Sequence, residues 1–360
     1  MVLTWPTEVE LLKQLVGIPS VSGTEETIGE FVERTAESWG LDVTRSEHGV
    51  IVRVAASGGE RGGNTLAFVS HLDTVPAGEG WNRSPFDPMI EGTRLYGRGS
   101  GDAKASVAAM LTAARETSRK TGELRGDLVL LLGYGEETKH TTMQHLIEAA
   151  GPITFAVVGE PTSLQAAIAQ RGIMMVDLVA RGDQRHAGYA GDETHEDAIT
   201  RLAADLVKLP QLFTDRIHPV LGHATATATM LEAGVSRNVT PPVAKAVLDV
   251  RSTPSWTHGE LHTVMEQQLT SEVIVTSDRL VPCETPAESV LLRAMRDVRP
   301  TLSSYGSPTC SDWVFLRHLD GVKCGPGTSR LSHTPDEHVD LHEVSEAVAF
   351  YHELAMELLR

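Results

Sequence analysis

Apolar positions along the chain follow two periods, one helical and one of short continuous runs. Val9, Leu11, Leu12, Leu15 and Val16 share one broad helical face. Ser22-Gly23-Thr24-Glu25 reads as a capping box, with Ser22 accepting from the backbone and Glu25 reaching back. It precedes Ile28, Phe31, Val32 and Trp39 at helical spacing, with Gly40 as the stop. Four apolar runs, residues 50–55, 66–69, 128–132 and 155–158, have the length of buried strands. Between the second and third, residues 103–116 carry Val107, Ala108, Met110, Leu111 and Ala114 in helical period. Buried strands alternating with helices predict an α/β domain on a mixed, largely parallel sheet flanked by helices.

After about residue 170 the texture changes. Residues 174–180 and 244–250 read as strands around a helix near 197–208, a smaller α+β unit. From about residue 281 the first texture returns. A helix is expected over 285–298, with Thr285 as cap, Pro286 at its first position and Glu288 closing a capping box. A helix over 312–319, a short strand over 322–325 and a C-terminal helix from about 343 follow. The expected organisation is a discontinuous catalytic domain, 1–170 and 281–360, interrupted by an inserted domain, 171–280. No internal repeat or low-complexity linker stands out.

Composition narrows the function classes. With 31 basic and 48 acidic residues the formal charge is −17, a field that repels nucleic acid and anionic membrane. No run approaches the roughly 18 apolar residues of a membrane span, and residues 1–11 lack the pattern of a signal peptide. Cys283, Cys310 and Cys324 are odd in number and lack paired spacing, so a reducing, cytoplasmic setting is expected.

Acid- and histidine-bearing motifs mark the first domain, three of them where apolar strands stop. In Ser70-His71-Leu72-Asp73, residues two apart on an extended chain face the same side. Asp73 can therefore fix the tautomer of His71, as carboxylates do behind metal-bound imidazoles; a surface histidine beside a solvated aspartate is the plain alternative. Tyr96-Gly97-Arg98-Gly99-Ser100-Gly101-Asp102-Ala103-Lys104 puts Asp102 at a helix entrance, as a cation ligand or a cap. Its glycines suggest a dinucleotide loop only superficially, because the third fingerprint glycine would fall on Asp102. In Gly135-Glu136-Glu137-Thr138, adjacent carboxylates end a buried strand. They repel unless a cation is present, and one can hold a metal while the other moves protons. A solvated loop pair is the alternative. Gly159-Glu160-Pro161-Thr162 brings another strand-end carboxylate, and Ser332-His333-Thr334-Pro335-Asp336-Glu337 follows Gly325-Pro326-Gly327 far downstream. In open α/β sheets chemistry gathers at the carboxyl ends of strands. Histidines and carboxylates without cysteine suit zinc, cobalt or manganese. A pair of such ions bridged by one carboxylate can activate a water and polarise a carbonyl.

These motifs, in order over essentially the whole chain, resemble the di-zinc aminoacylase/carboxypeptidase family, which includes acetylornithine deacetylase and succinyl-diaminopimelate desuccinylase. The resemblance implies that His71 and Glu160 bind one metal, Glu137 and His333 the other, and that Asp102 bridges them. It makes Asp73 the residue that orients His71, and Glu136 the general base. It also implies a cis peptide at Asp102–Ala103. Arg185-His186-Ala187 resembles the stretch around the family's lid histidine, which steadies the oxyanion, often in the partner subunit. Its flanking sequence, Gly182-Asp183-Gln184 before and Gly188-Tyr189 after, lacks the small-residue run common in relatives. Asn238 and Arg251 match lid positions that can hold a substrate carboxylate, or serve as structural contacts. Cys310, in the loop 308–312, is unusual there and reads as packing.

The implied activity is metal-dependent hydrolysis of an N-acyl amino acid by a homodimer paired through the inserted domain. N-acetylornithine heads the expected substrates. Release of lysine or ornithine from an amino-group carrier protein, desuccinylation and dipeptide cleavage are the alternatives. A non-catalytic binding protein would have lost a ligand or the base, and all six positions are filled. A serine or cysteine hydrolase would leave the metal-ligand set unexplained, and the Gly-x-Ser-x-Gly elbow is absent. Activity is expected to fall in acid, where ligands protonate and metals leave.

Overall fold

The computed structural model describes residues 5–57, 63–191 and 195–360. Residues 1–4, within the stretch read as lacking a signal peptide, lie outside the described residues. The chain forms two compact units. The first comprises Met1–Ile168, Thr285–Tyr305 and Ser311–Arg360; the second comprises Ala169–Glu284 and Gly306–Cys310. The short segment 306–310, read from sequence with the first domain, belongs to the second. There the Arg171 amide donates to the Ser307 carbonyl, and Gly306 lies so close to the Val220 carbonyl that a Cβ would sit 2.4 Å from it.

The first unit is built on a mixed sheet with a parallel centre. Strand Thr65–His71 lies between Asp127–Gly133 and Phe155–Val158, parallel to both, and Asp320–Lys323 is parallel to Phe155–Val158. Gly49–Val54 and Asp42–Ser46 extend one side antiparallel, and Ala166–Gln170 meets Asp320–Lys323 antiparallel on the other. The parallel strands are buried nearly throughout, because helices cover both faces of such a sheet. Lys104–Ser118 is buried on almost every side; it packs against Thr7–Val16 and the C-terminal helix Leu341–Leu359. Parallel strands end on the same edge, so His71, the turn after Gly133 and the turn after Val158 open together.

Two expected caps are replaced by contacts the local pattern cannot show. The second helix is Glu26–Ser38, without a side-chain cap. Ser22 instead donates to the Asp73 carboxylate at 2.7 Å, and Glu25 accepts from the amides of Gly23 and Gly135. The later helix is Val290–Val298, capped by Ser289, whose hydroxyl accepts from Leu292. Thr285 donates to the Gly321 carbonyl, tying the chain to the sheet. The stretch read as a helix over 312–319 is a short 3-10 helix, Asp312–Leu316.

The second unit is a four-stranded antiparallel sheet in the order Thr225–Ala233, Val243–Ser252, Gly172–Arg181, Glu272–Leu280. Helices Ala198–Lys208 and His258–Gln268 pack on it. Met174, Val176 and Leu178 meet Leu202, Leu248, Leu261 and Met265 in its core. The edge strand Thr225–Ala233 is exposed over most of its length.

Candidate active site

His71 is the last residue of its strand and is buried. Its Nδ1 lies 3.0 Å from the Asp73 backbone oxygen and 3.3 Å from that residue's carboxylate. A proton on Nδ1 is held there, which leaves Nε2 to face Asp102 at 3.3 Å and Glu160 at 3.9 Å. The Asp73 carboxylate also accepts from the amides of Glu136 and Glu137, each at 3.1 Å, and from Ser22. One aspartate thus aligns the ends of two neighbouring strands. Burial alone would raise its pKa, but the hydrogen bond and charge of His71 hold it below the ordinary value.

The adjacent glutamates point apart. Glu137 reaches His333, whose Nε2 lies 2.9 Å from its Oε2. Glu136 turns to His140, 3.6 Å from its Nδ1; that nitrogen is 3.1 Å from Asp312. His333 also faces Asp102 at 3.8 Å, so Asp102 has a histidine on each side. The peptide Asp102–Ala103 is cis, as the resemblance implies. Ligand atoms of His71, Asp102 and Glu137 all lie within 4.8 Å of one another, and Glu160 and His333 close the group.

Electrostatics define what this group can accept. Burial, then the charge of Asp102, push the Glu160 carboxyl up to about 8, against the pull of His71 and Lys323. Burial, then Glu160, Asp312 and Glu137, push Glu136 well above the carboxylate range, against His71. Burial lowers His71, but hydrogen bonds to Asp102 and Asp73 and the charge of Glu136 outweigh it and raise the imidazole well above its ordinary value. Three close carboxylates (Asp102, Glu137 and Glu160) and two imidazoles, with no thiolate, form a donor set that divalent cations balance, with the Glu136 carboxyl beside it. The residues present fit such ions.

The other three predicted residues lie in the second unit. His186 and Asn238 are neighbours there: Ala187 donates to the Asn238 carbonyl, and His186 accepts from Gly188. Arg251 is near the other end of the sheet, paired with Ile173 in register and gripped by Asp249 at 2.7 and 2.9 Å. Sequence reasoning missed Arg171, which donates to the carbonyls of Arg251 and Leu221 and stands beside the Arg251 charge. It also missed His140 as a partner of Glu136. The spacing Glu136 to His140 is a weak signal, since only the turn closed by Gly135 brings the two together. Cys310 lies 3.8 Å from the Gln170 amide nitrogen, which also meets Cys283 at 3.6 Å, a packing position.

An α/β catalytic unit with carboxylates and histidines gathered at the strand ends is the layout of a metallohydrolase. The pattern of Peptidase family M20/M25/M40 matches residues 67–357, and the chain belongs to that family of hydrolases. It is 28% identical over 371 residues to succinyl-diaminopimelate desuccinylase 2 of Ruegeria sp. (strain TM1040), covering 95% of this chain and 93% of that one. Among solved structures it is similar to aminopeptidase PepT from Bacillus cereus, with TM-score 0.81, 20% identity and 98% of each chain covered. It is also similar to Bacillus subtilis YXEP, described as a dinuclear metal binding peptidase, with TM-score 0.74 and 15% identity. That likeness covers 98% of this chain and 97% of the other. No helix among the described residues is long and apolar enough to cross a membrane.

Proposed function

We propose that the protein is a di-metal hydrolase that releases an amino acid from an N-acyl amino acid, with an N-succinyl amino acid such as N-succinyl-diaminopimelate as its first candidate substrate. The observation that carries the reading is the convergence of His71, Asp102, Glu137, Glu160 and His333, with Glu136 beside them. In it, His71 and Glu160 would hold one ion and Glu137 and His333 the other, with Asp102 shared between them. Zinc is the first candidate for an imidazole and carboxylate set, with cobalt and manganese as alternatives. When bound, the ions supply Lewis-acid polarisation and ease ionisation of a water. Glu136, beside this group, would accept a proton from the attacking water and pass it to the departing amine. Asp73 holds His71 in the tautomer that leaves Nε2 free for the ion.

The succinyl group stands first, with Asn238 and Arg251 as the candidate holders of a substrate carboxylate. The desuccinylase relative supports the same choice over N-acetylornithine. An odd count of three cysteines, Cys283, Cys310 and Cys324, fits a reducing, cytoplasmic setting. A homodimer through the second unit completes the reading. His186 and Arg251 lie near opposite ends of one sheet, and the long exposed edge Thr225–Ala233 offers unpaired backbone to a second copy.

Purified protein loaded with zinc, cobalt or manganese is to be assayed on N-succinyl-diaminopimelate, N-acetylornithine, small dipeptides and an aminoacylated carrier protein. Metal-stimulated cleavage with the succinyl substrate fastest is expected. Preference for another member of the panel would replace the substrate, and no metal-stimulated cleavage of any would overturn the enzymatic reading.

A further inference from the structure

The glycine-rich stretch before Asp102 resembles a nucleotide loop in spacing but already embraces an anion of its own. The amides of Gly99, Gly101 and Asp102 all donate to the carboxylate of Glu337, at 3.1, 3.0 and 3.1 Å. The Gly97 amide donates to the Glu337 backbone carbonyl at 2.9 Å. Arg98 completes the ring, with its Nη1 2.6 Å from the same carboxylate. Four of the six amides of residues 97–102 therefore end on one residue 235 positions or more away. Successive amides that converge in this way form a concave anion site. The φ angles of Gly97 (152°) and Gly99 (80°) are ones that glycine adopts most readily.

Glu337 also closes the short segment that begins with His333. His333 and Asp336 both have positive φ, 64° and 53°, which folds residues 333–337 into a tight return. One end of that segment carries a candidate ligand, and the other end holds the loop that carries another. We infer that Glu337 is a positioning residue for the metal cage: it fixes Asp102 relative to His333, and so sets the gap that a pair of ions must span. This inference rests on the di-metal reading. It goes further, because it assigns metal affinity to a carboxylate that has no place among the ligands.

The competing explanation is that Glu337 only neutralises Arg98, whose side chain is 2% exposed. The two differ in what they do to metal binding. Residues behind the ligands typically change metal affinity about tenfold to a hundredfold when replaced. The full-length protein, stripped of metal, is to be titrated with zinc against a competing chelator. Folding of each variant is checked by circular dichroism and by thermal melting in chelator. Wild type is expected to bind two ions, and Glu337→Gln to weaken both by about tenfold to a hundredfold, because Asp102 serves both. Glu337→Asp keeps the charge but shortens the reach. It is expected to weaken binding as well, and it decides the matter if the glutamine variant does not fold. Wild-type affinity for both ions in either folded variant, with only a lower melting temperature, would overturn the inference and leave the di-metal reading standing. Fewer than two ions on the wild type would instead sink the reading beneath it.

Discussion

A single aspartate shows how much one carboxylate contributes away from the catalytic chemistry. Asp205 is fully buried on helix Ala198–Lys208. It accepts from the amides of Thr270 and Ser271, from the Thr270 hydroxyl and from Lys208. Burial alone would raise its pKa, but these hydrogen bonds outweigh it and hold the group below its ordinary 3.8. A depressed folded value means that the charged form is the stabilising one. Its contribution is complete above the unfolded value and is lost as pH falls through the folded one. Replacing Asp205 by Asn turns an acceptor into a partial donor facing backbone amides. A loss of about 2–3 kcal/mol at pH 7 is expected, the range for hydrogen bonds to a charged group. Denaturant melts should show that gap steady from pH 5 to 8 and narrowing below about pH 4. A gap that persists unchanged in acid would mean that the charge is not what holds the turn.

Elements were legible where their pattern is local, and misread where a distant partner decides. The strands of the parallel sheet announce themselves as apolar runs because both faces are covered. His71, Glu137 and Glu160 are visible because each stands at or just after the end of such a run, whereas Asp102 and His333 are marked by the glycine-rich stretches before them. The caps were different. Ser22 has the right neighbours for a cap, yet Asp73 is a charged acceptor 51 residues on, and it takes the hydroxyl. His140 and Asp312 are 172 positions apart, and no window of sequence joins them. The amides of the glycine loop are taken up by Glu337, which lies in the motif singled out for His333. The reassigned caps are testable. Ser289→Ala removes the acceptor for Leu292 and a donor to Asp320, and should cost about 1–2 kcal/mol. Amide exchange at Leu292 should quicken. Ser22→Ala should leave exchange in helix Glu26–Ser38 unchanged, because that helix draws no side-chain cap from it. Faster exchange there would restore Ser22 as the cap.

At the scale of the whole molecule, the proposed homodimer turns on the second unit. Val243–Ser252 and Gly172–Arg181 run antiparallel, with Arg251 opposite Ile173 and Val243 opposite Arg181. His186 follows Arg181, and Asn238 precedes Val243. At about 3.4 Å per residue the eight steps from Ile173 to Arg181 span roughly 27 Å. That run separates Arg251 from the strand end after which His186 follows. In the proposed two-fold pair, His186 of one copy would serve the catalytic centre of the other. Co-expression separates the cases. Glu136→Ala and His186→Ala are each expected to be nearly inactive alone. In a mixed dimer one centre combines the intact Glu136 of one chain with the intact His186 of the other. Random pairing makes about half the dimers mixed, each with one working centre of two, so on the order of a quarter of wild-type activity should return. Pairing Glu136→Ala with His71→Ala serves as the built-in contrast. There the intact centre needs both residues from one chain if they act together, and activity should stay absent. No recovery in the first mixture, with dimers present by light scattering, would place His186 at the centre of its own chain or outside catalysis.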